Sequence, residues 1–516
     1  MSARYTIPRA LAASEHHDAV VAKLDEALAA VVLEHPALRV KAVGEDRKRP
    51  AWAPVESVDF ARHVEWRDVD DDATRGDYYG FFRDVLEKRV DEEHSTLEGR
   101  PKWRVLFLFF FEAGKIGEKS KRPFVDVVFE FNHGFMDGMS GKIFHETLLR
   151  RLNNTTTPAA TRARAQPILE HGVLTIPSTA SSLPPPAERV GKIAITPKFA
   201  VSSAWKELRP PALASKSASR ARWAPIQPTP FKTQFRMFDI PAETLQNVLA
   251  ACRAHKTTLT GLLHAIVVFS MATHIPPSQA TAFANDTALN LRRHLPSHPR
   301  IHPTLEPART MSNYVSLMGH KFDADLVHKI RETRMAGAIS APASKVSGEE
   351  NLPAGLVDLL WQCAARVRAE IQHRLDMGLK NEIVGLMHLV SDWRAQLRED
   401  ALKPRQYSCV VTNLGAFDAA TVASPMPGEK DTDQNYKEGG SAEAESGPDS
   451  DWEVQHSAFA LSTEVCGAAF QVSTISVKGK ALCVGCSWQD CVVDLKLGET
   501  MVAELERWLR FLGKHE

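Results

Sequence analysis

The chain has 516 residues, 44% of them hydrophobic and 24% charged, with 63 basic side chains balanced by 63 acidic ones. That length exceeds what a single core usually holds and predicts at least two domains. The zero formal charge excludes a chain that is basic throughout, so no nucleic-acid partner is expected.

Seven cysteines, an odd number, lie scattered in a chain too large to need a disulfide framework. They point to a reducing compartment, and the expected location is cytoplasmic. Met1-Ser2-Ala3-Arg4-Tyr5 opens no apolar leader. The most hydrophobic unbroken run is 105–111, seven residues, far short of the ~20 residues that span a bilayer.

Residues 17–34 place Val20, Val21, Leu24, Leu28, Val31 and Val32 at helical spacing, which predicts an amphipathic helix that Pro36 ends. A first strand is expected over 38–43. Residues 103–111 and 124–131, rich in Phe and Val, predict a hairpin joined by a basic loop over 112–122. That loop holds Gly114 and Gly117, but its spacing does not fit a phosphate-binding G-x-x-x-x-G-K-[ST]. A helix follows over 139–152, with Ser140 as its expected cap.

Residues 154–230 hold twelve of the 31 prolines and lean basic. This is the composition of a crossover linker, and it predicts a domain boundary. The expected division is an N-terminal subdomain over 1–153, the linker over 154–230 and a C-terminal subdomain over 231–516. Within the last, a strand is predicted over 233–240, with Pro241 opening the next helix. A buried helix is expected over 258–272, helical pieces over 357–399, and strands over 407–413 and 468–488. Residues 425–451 have the Gly, Ser, Asp and Glu content of a disordered acidic insertion. The final helix, over 499–512, gathers Val502, Leu505, Trp508, Leu509 and Leu512 on one face. That face is expected to pack on its own domain, with peripheral membrane contact as the alternative.

The chemistry concentrates in Asn132-His133-Gly134-Phe135-Met136-Asp137-Gly138. The alternating stretch 125–131 reads as a strand that delivers His133 on a short loop. An imidazole, with an unperturbed pKa near ~6.5, suits proton abstraction at neutral pH. Asp137 could orient the ring, or brace the loop by pairing with an arginine elsewhere. Gly138 lets the backbone turn where a side chain would obstruct. His388 and Asp392 repeat the H-x-x-x-D spacing, but in a helical context over 383–397 that favours two residues on one helix face. Cys483, Cys486 and Cys491 have no neighbouring histidine to complete a metal site, and no metal is expected. No serine sits in a G-x-S-x-G elbow, which argues against an α/β-hydrolase.

With the core motif, four further segments resemble the CoA-dependent acyltransferase superfamily defined by H-x-x-x-D-G, which includes chloramphenicol acetyltransferase and the condensation domains of peptide synthetases. They are Glu34-His35-Pro36-Ala37-Leu38-Arg39, Leu289-Asn290-Leu291-Arg292-Arg293, Ser312-Asn313-Tyr314 and Val411-Thr412-Asn413-Leu414-Gly415. The nearest likeness is to fungal alcohol acetyltransferases. It is collinear from about residue 5 to 512. Where many members carry two adjacent histidines, the first here is Asn132. Thr412 stands where serine is common, and the D-F-G-W-G of plant relatives is missing.

The resemblance implies an α/β fold of two chloramphenicol-acetyltransferase-like subdomains with a channel between them. It implies His133 as general base, Asp137 as a structural residue paired with Arg292, and Thr412 and Asn413 near the channel, with Thr412 a candidate oxyanion donor. The implied reaction is O-acylation of an alcohol or hydroxylated secondary metabolite, with acetyl-CoA or another acyl-CoA as co-substrate, no permanently bound cofactor, and a monomeric enzyme. The alternatives are N-acylation, a carrier-protein thioester as donor, and a degenerate binding protein on the same fold.

Overall fold

The structure is a computed structural model. It describes residues 1–48, 50–92, 99–111, 123–153, 169–178, 182–210, 213, 217–340, 352, 354–418 and 451–514. The N-terminal half supplies β1 (Ser2–Thr6), α1 (His17–Glu34), β2 (Val40–Val43), β3 (Ala51–Pro54), β4 (Ser57–Asp59), β5 (Val64–Asp68), α2 (Tyr78–Val90), β6 (Trp103–Phe110), β7 (Phe124–Phe131) and α3 (Gly138–Asn153). The Pro-rich stretch carries β8 (Leu169–Glu170), β9 (Val173–Thr175) and α4 (Pro197–Leu208). The C-terminal half begins with β10 (Thr233–Ile240), α5 (Ala242–Ala254), α6 (Leu259–His274), β11 (Phe283–Asn290), β12 (Val315–Phe322) and α7 (Ala324–Ser340). It ends with α8 (Ala354–Asp376), α9 (Trp393–Asp400), β13 (Cys409–Phe417), β14 (Glu453–Ala458), β15 (Phe470–Val477), β16 (Leu482–Gln489) and α10 (Leu495–Leu512).

Two mixed sheets organise these elements, one ordered β14-β1-β7-β6-β5 and the other β10-β16-β15-β13-β11-β12. The expected α/β class is the observed one. β6 explains why 105–111 is apolar without a break. Val105, Phe107 and Phe109 enter the N-terminal core with α1 and α3. Leu106, Leu108 and Phe110 enter a second cluster, shared with Phe235, Met237 and Cys483 of the other half. A strand buried on both faces has no solvent side to make polar.

The C-terminal core is built around α6, whose residues from Gly261 to Ala272 are all buried. No single helix among the described residues is long and apolar enough to cross a membrane, although the bent pair α5 and α6 meets the criteria of length and composition. α6 is apolar because it is enclosed, with α8, α10 and the six-stranded sheet around it. The last helix runs over Leu495–Leu512, and Val502, Leu505, Trp508, Leu509 and Leu512 are buried in that same core. Its apolar face is therefore occupied by its own half and not offered to a membrane.

Several local expectations need correction. The chain's first strand is β1, which inserts between β7 and β14. The segment 36–39 is a 3-10 turn, and β2 starts only at Val40. Ser140 lies inside α3, and the oxygen that caps this helix belongs to Asp137, which accepts from the Ser140 backbone N–H at 2.9 Å. His388 sits in a 3-10 segment and Asp392 caps α9, so the two do not share one helix face. β14 leaves the C-terminal half to pair with β1 in the first sheet. The basic loop 112–122 and the acidic insertion, except for Asp451, lie outside the described residues.

α10 packs so closely on β16 that a methyl group at Gly498 would enter the ring of Trp488, which is fully buried. In Gly498→Ala the overpacking outweighs the roughly 1 kcal/mol that alanine gains in helix propensity. Urea titration is expected to show a net loss of about 1–2 kcal/mol.

Candidate active site

β7 ends at Phe131, and the chain turns at once. The Asn132 side-chain oxygen accepts from the Gly134 N–H at 2.9 Å, and the Asn132 carbonyl accepts from the Phe135 N–H at 3.0 Å. This local closure fixes a tight turn with His133 at its tip, exposed to solvent. The turn is also held from the other half, because Asn313 Nδ2 donates to the His133 carbonyl at 2.8 Å. Beside it, Phe135 lies against Trp52 of β3 with ring centroids 3.8 Å apart.

Four residues on, Asp137 is buried and saturated. Its Oδ2 accepts from Arg292 Nη1 at 2.6 Å and from the Tyr314 N–H at 2.9 Å. Its Oδ1 accepts from Arg292 Nη2, from the Ser140 N–H and from Ser140 Oγ, each at 2.9 Å. Five donors fill the acceptor capacity of one carboxylate. Asp137 therefore braces the loop and has no lone pair to spare for an imidazole. Its side chain is 4% exposed and that of Arg292 is 3%. The guanidinium also donates to the carbonyls of Thr310 and Ser312, at 3.1 and 2.8 Å, so the pair is hydrogen-bonded on every side.

Gly138 has a reason other than a turn. It is the first residue of α3, and a Cβ there would lie 2.9 Å from both Leu414 of β13 and Phe459. The missing side chain lets the helix start touch the C-terminal sheet. β13 bulges there, with its pairing to β15 broken between Asn413 and Ala416, and Gly415 takes a φ of +72°. Asn413 Oδ1 accepts from the Gly415 N–H at 2.9 Å, and its Nδ2 donates to Thr260 Oγ1 in the first turn of α6 at 3.1 Å. Thr412, half-buried, stands opposite Ser473 on β15.

Just past the end of α5, a pocket of about 620 Å³ opens between that helix end, the start of α6 and one face of α8. Arg253, Lys256, Arg368 and His373 line it, with Thr257 and Asp376. Thr257 lies about one helical turn before Thr260, the residue that Asn413 contacts.

The family model for alcohol acetyltransferase matches residues 83–320, a span that contains the His133 turn, Asp137, Arg292 and Tyr314. The chain is 27% identical over 492 residues to the probable alcohol acetyltransferase FCK4 of Fusarium pseudograminearum, covering 94% of this chain and 85% of that protein. Over residues 83–320 the chain resembles the alcohol acetyltransferase family. A second relative, the probable alcohol acetyltransferase crmB of Aspergillus fumigatus, is 22% identical over 411 residues, covering 80% of this chain and 72% of its own length.

Among solved structures, this acyltransferase is similar in fold to the TRI3 trichothecene 15-O-acetyltransferase of Fusarium sporotrichioides, with a TM-score of 0.62, 12% identity, and coverage of 99% of this chain and 90% of that one. It is also similar to the condensation domain of the monacolin K polyketide synthase MokA, with a TM-score of 0.52, 12% identity, and coverage of 100% and 91%.

Sequence reasoning names Asp137 and Arg292 but assigns no part to Ser140 Oγ, Ser312 or Tyr314, which complete the same network in this acyltransferase. The Ser312 and Tyr314 segment is visible as a motif. What it lacks in sequence is any sign that its backbone, rather than its side chains, makes the contact with Asp137. Trp52 and Phe459 give no signal at all, since each reaches the site from an element distant in sequence.

Arg292→Ala leaves the Asp137 carboxylate buried without its counter-charge. The loss in stability by urea titration is expected to be about 3–5 kcal/mol. Asn313→Ala, which removes only one exposed hydrogen bond, is expected to cost about 1 kcal/mol or less.

Proposed function

We propose that this enzyme transfers the acetyl group of acetyl-CoA to a hydroxyl of a small-molecule alcohol, with His133 as general base and no permanently bound cofactor. The observation that carries the reading is the contrast at the turn. His133 is exposed, while the residues around it are locked by the saturated Asp137 and by Asn313. A base held in this way meets its substrate without reorganising. The imidazole removes the hydroxyl proton as the oxygen attacks the thioester carbonyl. The tetrahedral intermediate then collapses, the carbon–sulfur bond breaks, and the imidazolium returns the proton to the departing CoA thiolate. Thr412 Oγ is the proposed donor to the oxyanion. Asn413 positions the bulged end of β13 beside Gly138.

The basic pocket supports CoA as the donor. Its three cationic side chains against one carboxylate suit the phosphates of a nucleotide. Thr260, which Asn413 contacts, lies three residues past Thr257 of that pocket, and Leu414, next to Asn413, borders Gly138 at the start of α3. The acceptor is proposed to be a hydroxylated secondary metabolite, in line with the trichothecene named for the structurally similar TRI3 protein.

Thiol release from acetyl-CoA, followed across a panel of alcohols and amines, tests the reading. His133→Ala is expected to lower turnover by roughly 10²–10⁴-fold while the protein stays folded. His388→Ala is expected to leave it unchanged. Loss of activity in the second variant alone would assign the chemistry to the other histidine.

Reversing two pocket charges, in Arg253→Glu with Lys256→Glu, is expected to raise KM for acetyl-CoA by roughly tenfold or more while kcat changes little. An unchanged KM would move the donor's phosphates elsewhere.

A further inference from the structure

A cluster of unlike donor atoms lies away from the site described above. Asp239 on β10 stands directly opposite Cys483 on β16, so both side chains share one face of the six-stranded sheet. His456 reaches them from β14, in the other sheet, and its Nε2 lies 3.1 Å from Asp239 Oδ1. One oxygen, one nitrogen and one sulfur all fall within 4.8 Å of each other. The thiol is buried, whereas the imidazole and carboxylate side chains are 17% and 31% exposed. A cation therefore has a route in from solvent.

We propose that Asp239, His456 and Cys483 bind a divalent cation of borderline softness, zinc first, which ties the two sheets together. The donor set selects the ion. Carboxylates alone would suit calcium or magnesium, but a thiolate with an imidazole favours zinc in tetrahedral geometry. Zinc bonds of about 2.3 Å to sulfur and about 2.0–2.2 Å to nitrogen and oxygen fit this spacing after small side-chain rotations. The carboxylate and thiolate neutralise the ion, and binding releases the thiol proton to solvent.

A second observation points to a ligand here. The Tyr79 hydroxyl on α2 is buried with no hydrogen-bond partner. Tyr79 packs against the buried cluster that contains Cys483. A water in the fourth coordination position would give that hydroxyl its partner.

The strand register separates this site from the His133 turn. His456 pairs with Arg4, which pairs with Asp126. Asp126 is five residues before the end of β7 at Phe131, about 17 Å along the strand. The ion's role is therefore to hold the halves together, and it is independent of the acetyl transfer proposed above.

The test uses the full chain, dialysed against a chelator and then titrated with zinc by calorimetry and with cobalt(II) by absorbance. Wild type is expected to bind one equivalent, to show a thiolate-to-cobalt charge-transfer band and to melt at a higher temperature with zinc. Cys483→Ser is expected to lose the band. His456→Gln and Asp239→Asn, on partly exposed side chains, are expected to weaken zinc binding by tenfold or more and to abolish the thermal shift. If Cys483→Ser does not fold, the other two variants decide. Absence of stoichiometric binding, or binding and a band unchanged in His456→Gln and Asp239→Asn, would overturn the proposal.

Discussion

The Asp137–Arg292 pair is the constraint on which the rest of this structure turns. It joins the start of α3 in one half to the segment after β11 in the other, at 2.6 Å and almost without solvent. Taking two charges out of water costs several kcal/mol each, and their attraction offsets it only when the remaining donors and acceptors are also satisfied. Here they are. Ser140, Tyr314, Thr310 and Ser312 complete the set, so the charges stay buried and the distance between the halves is fixed at this point. A pair with this many partners has one geometry, and the turn carrying His133 inherits it.

The two halves are not independent bodies joined at one point. β6 is apolar on both faces because its second face packs on Phe235 and Met237 of the other half. β14, from late in the chain, is an edge strand of the N-terminal sheet and pairs with β1 from the very beginning. The first sheet therefore needs both ends of the chain. Long-range pairing of this kind costs loop-closure entropy before the contact is gained. In return the first sheet is closed by backbone pairing between the two halves as well as by side chains.

What can be read from sequence follows from whether the information is local. α1, β6, β7, α3 and α6 announce themselves through periodicity, because burial of one face or of both imposes a pattern on consecutive residues. The His133 motif is legible for the same reason, since strand, turn and helix start occupy one short stretch. β14 is not legible. Glu453-Val454-Gln455-His456-Ser457-Ala458 is polar at four of six positions, and its partner β1, from the start of the chain, makes it a strand. Gly138 shows a subtler failure. Its backbone freedom suggests a turn, whereas the cause is Leu414 and Phe459 arriving from elsewhere. No histidine lies near Cys483 along the chain, yet His456 lies beside it in space, a proximity that no local pattern carries.

Rigidity at the site and openness beside it have a common origin. Asp137 is fully engaged in holding the loop, so His133 is left without a carboxylate partner from its own motif. A ring tethered to a buried acid would be oriented but also partly enclosed. Fixing the backbone instead, through Asn132, Asn313 and the Asp137 network, holds the turn in place while His133 stays exposed. The glycine at 138 belongs to the same solution. It lets β13 come within van der Waals contact of the helix start, so the bulged strand with Thr412 and Asn413 is delivered to the same seam as the His133 turn. The motif's aspartate and glycine thus serve assembly of the two halves, and of the three only the histidine stays exposed.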